Sequence, residues 1–242
     1  MSDFHFDVRF SEEELQLRDL VRDLVKNEVI TNAMELDEKN EYPKEIFKKF
    51  REAGLFAAMF SEEYGGLGIG DMSWIILSEE IAYGCLGVNT AFLATKLGAL
   101  PLEVGGTREQ KEKWLTQLAA GDKTCAFGLT EPGAGSDVPA LRTVAEKKGD
   151  RYIINGTKQW ISGAGQADIY TVFALTSKDR GPRGMSCFVL EKGMKGFSFG
   201  KKEDKLGIRC SETRQLIMED VEVPVENLVG GVENTAFLYA LK

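Results

Sequence analysis

The character of the chain changes at Phe127-Gly128-Leu129-Thr130-Glu131-Pro132-Gly133-Ala134-Gly135-Ser136-Asp137. Apolar residues recur at helical spacing before this stretch, and short β-branched and aromatic runs alternate with turns after it. Pro132 and Gly133 predict a sharp turn that leaves a strand, followed by small residues, open backbone N–H groups and a serine hydroxyl. Such a loop can approach a phosphate or an aromatic ring closely. Taken alone, Gly133-Ala134-Gly135 is more often a plain structural turn, because it lacks the third glycine of a dinucleotide fingerprint and the Gly-Lys-Ser/Thr of a P-loop.

The sequence before this loop predicts about five helices. Two of them begin with capping boxes, in which a Ser or Thr is followed three residues later by Glu or Gln. The five predicted helices begin at Ser11, Pro43, Asp71, near Val88 and at Thr107. Ser11 pairs with Glu14 and Thr107 with Gln110 in the two capping boxes, and Asp71 is the expected cap of the third helix. The second helix is expected to stop at Gly54 and the fourth near Leu97. The first 122 residues are therefore expected to form a helical domain.

The sequence after the loop predicts an antiparallel β domain, either a barrel or a sandwich. Its strand-like runs cover residues 126–130, 152–154, 158–161, 168–175, 185–190 and 214–218. Asn155-Gly156 between two of these runs predicts a hairpin with a type I′ turn, which requires positive φ at both central residues. The expected fold class is α+β, with a helical domain over 1–122, a β domain over 123–230, and the start of a further helical domain over 231–242. In that last segment Phe237, Leu238 and Leu241 would present an apolar face with little chain left to cover it.

Composition excludes several classes of function. The 38 acidic and 30 basic residues give a formal charge of −8, which argues against a general nucleic-acid binder. No apolar run is long enough for a bilayer span, and residues 1–10 lack the basic start and apolar core of a signal peptide, so a cytoplasmic protein is expected. The four cysteines form no Cys-x-x-Cys pair and are expected to be reduced, mostly buried thiols. With His5 as the one histidine, a His-based triad or His-rich metal site is not expected.

A second informative stretch is Asn155-Gly156-Thr157-Lys158-Gln159-Trp160-Ile161-Ser162-Gly163-Ala164. A tryptophan followed two residues later by a hydroxyl can stack on a flat ring and hydrogen-bond to its edge. For this fragment alone, a core tryptophan in a hairpin is the commoner arrangement. The combination of the two stretches, rather than either one, indicates a specific function.

Together, the two stretches resemble the acyl-CoA dehydrogenase family, and the resemblance runs from about Phe10 to Lys242. Residues 127–137 are similar to the family's flavin loop, and residues 155–162 to its second signature. Further similar patches follow in the family's order at Glu63-Tyr64-Gly65-Gly66, Glu79-Glu80-Ile81-Ala82 and Lys205-Leu206-Gly207-Ile208-Arg209. The resemblance implies a helical N-terminal domain, a middle β domain and a second helical bundle, of which only the first two are expected here.

The resemblance also implies where FAD and substrate would bind. Thr130 would hydrogen-bond to the flavin ring, Trp160 would stack beside it, and Ser162, where many relatives carry threonine, would reach flavin N5. Ser136 would lie near both the cofactor pyrophosphate and the CoA thioester. The positions implied to bind the cofactor are Phe127, Gly128, Leu129, Thr130, Glu131, Pro132, Gly133, Ala134, Gly135, Ser136, Trp160, Ile161 and Ser162.

The implied reaction is the α,β-dehydrogenation of an acyl-CoA thioester. In the family a carboxylate removes the α-proton, the β-hydride passes to FAD, and an electron-transferring flavoprotein takes the electrons. That carboxylate belongs to the C-terminal bundle, so no residue here is named as the base, and Glu131 is expected to brace its turn instead. A homo-oligomer, dimer or tetramer, is also implied. The alternatives are an acyl-CoA oxidase or flavin monooxygenase on the same fold, and a non-catalytic module that binds acyl-CoA or a partner protein.

Overall fold

The computed structural model describes residues 10–240, so the expectations for residues 1–9, including His5, and for Leu241 lie outside the described residues. The helices before the sheet are α1 (Glu12–Leu24), α2 (Thr31–Glu38), α3 (Lys44–Glu52), α4 (Asp71–Gly84), α5 (Leu86–Gly105) and α6 (Arg108–Ala119). A π-helical turn, Val25–Ile30, joins α1 to α2. No helix within residues 10–240 combines the length and the apolar character needed to cross a membrane.

The predicted helix starts are largely confirmed. Ser11 with Glu14 and Thr107 with Gln110 both form complete capping boxes. Asp71 differs from the prediction, because it is the first helical residue of α4 and Gly70 occupies the cap position without a side-chain hydrogen bond. Helix α5 is twice as long as expected, because it continues through Pro101 to Gly105. Its apolar residues lie between the other helices and the sheet, where tertiary packing stabilises the added turns.

The β domain is one curled sheet of seven strands. They are β1 (Cys125–Gly128), β2 (Val144–Lys148), β3 (Arg151–Ser162), β4 (Ile169–Leu175), β5 (Met185–Glu191), β6 (Phe197–Phe199) and β7 (Thr213–Pro224). The order is β1-β4-β2-β3-β7-β6, with β5 also paired to β4. The sheet is mixed rather than purely antiparallel. Strand β4 runs parallel to β1, and its single residue pair with β2 is also parallel. The described part is therefore a half-barrel.

The predicted hairpin at Asn155-Gly156 is wrong. Both residues lie inside β3, which is one continuous strand paired with β2 on one side and β7 on the other. The chain turns earlier, at Gly149 (φ 64°), between β2 and β3. At Gly156 the register with β7 shifts, and a Cβ there would lie 2.4 Å from Thr143 Oγ1. Glycine is required at this position because Thr143 packs directly against the β3 backbone there, rather than for a turn.

The core continues across the boundary between helices and sheet. One cluster of buried residues includes Phe50, Phe92 and Trp114 from the helices together with Phe173 and Val189 from the sheet. A second cluster of buried residues belongs wholly to the β domain. Helix α5 packs so closely on β1 that a Cβ at Gly98 would lie 2.7 Å from the backbone N of Ala126. The helical layer and the sheet therefore share one apolar core.

The segment after β7 contacts the rest of the molecule more than the sequence indicated. Its helix α7 spans only Phe237–Ala240. The N–H of the buried Ala236 donates to the Met185 carbonyl at 3.0 Å, and the Tyr239 ring covers the backbone of Gly105. Of the three apolar side chains predicted to be uncovered, Phe237 packs against the core, Leu238 is exposed, and Leu241 is outside the described residues.

Candidate functional site

The loop after β1 begins with a tight turn. Glu131 and Ala134 form an isolated bridge in which each N–H donates to the other residue's carbonyl, at 3.0 and 3.1 Å. Pro132 and Gly133 form the exposed end of this turn. A Cβ built on Gly133 or Gly135 would meet no atom within 4 Å, so the outer surface of the loop is open. The sharp turn and the open small-residue surface predicted from the sequence are both present.

The carboxylate of Glu131 holds this loop from its inner side. It accepts hydrogen bonds from the N–H groups of Arg142 at 2.7 Å and Thr143 at 2.9 Å, and from the Lys158 ammonium at 2.8 Å. Burial by itself would raise the pKa of the Glu131 carboxyl, but the charge and hydrogen bond of Lys158, with the two backbone donors, lower it overall. Glu131 therefore braces the turn, as the sequence indicated.

Lys158 connects the loop to strand β3. Its side chain is fully buried, and burial lowers the pKa of its ammonium to about 8 although Glu131 opposes the shift. Besides Glu131, the ammonium donates to the Leu129 carbonyl at 3.2 Å, so it binds the residues on both sides of Thr130. The N–H of Gln159 donates to the Thr130 carbonyl at 2.8 Å. Thr130 is thereby fixed directly beside β3.

Trp160 lies in a β-bulge, where the pairing of β3 with β7 shifts register between Lys158 and Ile161. Its φ of 56° is in the left-handed region, which is rare for a bulky residue. The bulge turns the indole away from the core and leaves 63% of the residue exposed. The interpretation of Trp160 as a core residue, based on the fragment alone, is therefore wrong.

The other predicted site residues occupy two settings. Ser136 is exposed in the open loop, and among residues 10–240 the N–H groups of Gly135 and Ser136 have no hydrogen-bond acceptor. Ser162 is half-buried at the end of β3, opposite Thr213. The backbone hydrogen bond from Gln159, the neighbour of Trp160, brings Thr130 close to Trp160. Ser136 and Ser162 are not hydrogen-bonded to each other. The supporting positions are buried or half-buried: Phe127, Gly128, Leu129, Ala134 and Ile161.

These features fit a cofactor that has both a flat ring and phosphates. An exposed indole offers a stacking surface, and the anchored Thr130 beside it offers a hydroxyl for a ring edge. The open amides of Gly135 and Ser136 and the serine hydroxyl are donors suited to phosphate oxygens. The residues implied to hold FAD are thus compatible in chemistry and exposure with that cofactor.

Sequence reasoning did not identify the residues that anchor the site. Lys158 is part of the second motif but received no role, and the backbone donors of Arg142 and Thr143 carry no sequence signal. A signal was nevertheless present at Lys158, because strand alternation places it on the same face as the apolar Tyr152 and Ile154. A lysine on such a face needs a buried acidic partner, and Glu131 is one of the two acidic residues in the first motif.

The fold and the site together define a class of two-layer proteins with a helical domain packed on a curled sheet, and with an exposed tryptophan in β3 next to the loop that follows β1. Residues 11–122 match the family described as acyl-CoA dehydrogenase, N-terminal domain, and residues 126–221 match acyl-CoA dehydrogenase, middle domain. The chain belongs to the acyl-CoA dehydrogenase family.

Three relatives illustrate the similarity. A short-chain-specific acyl-CoA dehydrogenase of Clostridium acetobutylicum is 45% identical over 238 residues, which cover 98% of this chain and 62% of the relative. The structure of butyryl-CoA dehydrogenase from Megasphaera elsdenii superimposes with a TM-score of 0.92 at 39% identity, covering 98% of this chain and 63% of the other. An acyl-CoA dehydrogenase from Bacillus anthracis, solved with FAD, gives a TM-score of 0.89 at 36% identity, covering 96% and 39%. The chain thus spans about three fifths of the length of the curated relative.

Proposed function

We propose that the protein containing this chain is an FAD-dependent acyl-CoA dehydrogenase. The observation that supports this most strongly is the exposed indole of Trp160 beside the anchored Thr130 and the open loop that ends at Ser136. Exposing a tryptophan in a left-handed bulge does not stabilise the folded chain. It does provide a preformed surface on which a flat ring can stack. Bound FAD would accept the hydride from the substrate β-carbon.

Each residue of the site has a separate role in this proposal. Trp160 stacks beside the flavin ring, and Thr130, held by Gln159 and Lys158, donates its hydroxyl to the ring edge. Ser162 offers its hydroxyl at the position implied to face flavin N5. Ser136 and the free amides of the loop bind phosphate oxygens, and Ser136 also contacts the CoA ligand. None of these groups is a carboxylate that could remove the α-proton. Glu131, the carboxylate in the same loop, is not assigned this role either, because it is already bound to Lys158 and to two backbone N–H groups.

The proposed substrate is an acyl-CoA thioester, and short chains are the first to test because the Clostridium acetobutylicum and Megasphaera elsdenii relatives act on them by name. The proposed electron acceptor is an electron-transferring flavoprotein, and the proposed assembly is a homo-oligomer. We further propose a cytoplasmic location.

Cofactor analysis and electron-acceptor assays test the proposal. The full-length natural protein that contains this sequence is denatured, and the released cofactor is identified by mass. Turnover of butyryl-CoA is then measured with an electron-transferring flavoprotein or a dye as acceptor, and with oxygen alone. The proposal predicts FAD, and turnover that depends on the flavoprotein or dye. Fast turnover on oxygen with peroxide release would support an acyl-CoA oxidase, and failure to bind FAD or to turn over any acyl-CoA would support a non-catalytic binding module.

A further inference from the structure

Two cysteines that the proposed reaction does not use lie together where the helices meet the sheet. Cys85 is the cap residue of α5, and Cys210 belongs to the segment that leads into β7. A Cβ built on Gly87, in the first turn of α5, would lie 2.5 Å from the Cys210 sulfur, so this sulfur occupies the space that a side chain at position 87 would fill. Each of these two thiols is the largest influence on the pKa of the other, and the Cys210 sulfur lies against Gly87, two residues along the helix from Cys85. The two thiols therefore form a contact pair between the helical layer and the sheet.

The two thiols of this pair differ in exposure. Cys85 is half-buried, whereas Cys210 is 1% exposed. Cys85 is thus the more accessible residue of the two. The remaining cysteines, Cys125 and Cys187, are each 1% exposed and lie in strands β1 and β5 of the sheet.

The surroundings also favour ionisation of Cys85 over the other three cysteines. The interaction with Cys210, opposed by burial and then assisted by the N–H groups of Val88 and Gly87, lowers the pKa of the Cys85 thiol below its ordinary value of 9.0. Donors at a helix N-terminus stabilise a thiolate in this way. The charge of Asp37 opposes ionisation of both thiols, and the charge of Lys205 lies close enough to Cys210 to interact with it. Burial raises the pKa of Cys125 and of Cys187.

We propose that Cys85 and Cys210 form a redox modification site, at which a hydroperoxide oxidises Cys85 and Cys210 then closes a disulfide between the helical layer and the sheet. In the first step the Cys85 thiolate attacks the peroxide, an S–O bond forms, the O–O bond breaks, and the leaving oxygen takes a proton to become water or an alcohol. In the second step Cys210 attacks the sulfenic sulfur, the S–S bond forms, and the hydroxyl leaves as water with the Cys210 proton. Overall the two thiols lose two electrons and the peroxide gains them.

Gly87 is part of this arrangement. Because its missing Cβ makes room for the Cys210 sulfur, the two thiols can meet at the first turn of α5. A link formed here joins distant parts of the chain, which restricts the unfolded ensemble and raises the melting temperature of the oxidised protein.

Peptide mapping of the oxidised protein tests the proposal. The full-length natural protein is treated with hydrogen peroxide between pH 5 and 8, quenched with a thiol-blocking reagent, and digested without reduction. The proposal predicts a Cys85–Cys210 peptide pair, loss of two of the four free thiols, a reaction rate that rises with pH through a midpoint below the ordinary cysteine pKa of 9.0, and a higher melting temperature that dithiothreitol reverses. In Cys210→Ser, Cys85 should instead be trapped by dimedone as a sulfenic acid.

Cys125→Ser and Cys187→Ser are matched controls, because each removes a buried thiol outside the pair and should leave formation of the disulfide unchanged. The proposal is overturned if the wild-type protein forms no Cys85–Cys210 peptide under peroxide while it remains folded. It is also overturned if Cys125 or Cys187 reacts as fast as Cys85. The wild-type map decides the question even if a Cys85 or Cys210 variant does not fold.

Discussion

Trp160 adopts a left-handed backbone conformation and exposes most of its indole, and both features raise the free energy of the folded chain. A conformation of this kind costs on the order of 1–3 kcal/mol and occurs mainly at functional sites. Lys158 and Ile161, on either side of the bulge, are buried and fix the strand, so the surroundings determine the conformation of Trp160. The proposed site is thus preformed, with the exposed indole that would stack on the flavin already in place.

Replacing Trp160 should weaken FAD binding without changing the stability of the fold. Trp160→Ala should leave the free energy of unfolding within about 0.5 kcal/mol of wild type, because the side chain makes few buried contacts. It should weaken FAD binding by about 0.5–1.5 kcal/mol, which is about two- to twelvefold. Flavin titration and urea unfolding measure the two effects. As a control, Trp114→Ala removes a side chain that is 1% exposed and should cost about 3–5 kcal/mol of stability. Unchanged FAD affinity in Trp160→Ala would remove the indole from the site.

Ser136 gives an independent test at the open end of the loop. Its hydroxyl is exposed, so Ser136→Ala should not change the melting temperature. If the hydroxyl binds a charged phosphate oxygen, affinity for FAD or the CoA ligand should fall by roughly 1.5–3 kcal/mol. Isothermal titration with each ligand shows which of the two is affected. The exposed Ser198 in β6 is a matched control, and equal effects of Ser136→Ala and Ser198→Ala would contradict the assignment.

At the scale of the element, strand β3 shows where sequence reasoning succeeds and where it fails. Both capping boxes and the turn at Pro132-Gly133 were predicted, because each depends on a few neighbouring residues. The hairpin at Asn155-Gly156 was not present, since pairing with β2 and β7 along the whole strand outweighs the turn preference of two residues. The parallel pairing of β1 with β4 and the burial of Lys158 also depend on residues distant in the sequence. Local signals therefore predicted the site's components but not the contacts that hold them.

The buried ion pair between Lys158 and Glu131 should stabilise the protein only while both charges are present. Lys158→Met leaves a buried carboxylate without its cation and should destabilise the protein by about 3–5 kcal/mol. The double variant Lys158→Met with Glu131→Gln removes both charges and should recover a large part of that loss. Denaturant unfolding of the two single variants and the double variant forms a mutant cycle. Additive losses in this cycle would show that the two side chains do not interact in the folded protein.

The same pair predicts the response to acid. Because the pKa of Glu131 is lower in the folded protein than its ordinary value of 4.5, the stability it contributes is fully present above about pH 4.5 and is lost as the pH falls through the folded pKa. Glu131→Gln should therefore show a shallower loss of stability than wild type below pH 4.5. Melting temperatures recorded from pH 7 to pH 3 measure this slope. A parallel pH dependence in the two proteins would contradict the linkage.

At the scale of the whole molecule, the helical layer and the sheet stabilise one another. The expected boundary at residues 122 and 123 coincides with a change from helix to strand, yet the buried cluster extends across it. Thr171 in β4 donates its buried hydroxyl to the Gly98 carbonyl in α5 at 2.8 Å. The sequence pattern predicted two separate domains, because it carries no information on contacts between distant residues. Because of this shared core, the loop after β1 is held on a rigid support, as a preformed cofactor site requires.

Anaerobic titration of the full-length natural protein with butyryl-CoA tests the central claim most directly. The flavin's visible absorption is followed while the CoA products are identified by mass. We expect the absorption to bleach in proportion to added substrate, with formation of the α,β-unsaturated thioester. Residues 1–242 expressed alone should show no bleaching, because the matched motifs supply only the flavin side of the reaction and no base. Turnover by residues 1–242 alone would place the base among them. A full-length protein that binds no flavin, or whose flavin no acyl-CoA reduces, would contradict the assignment of this chain to acyl-CoA dehydrogenation.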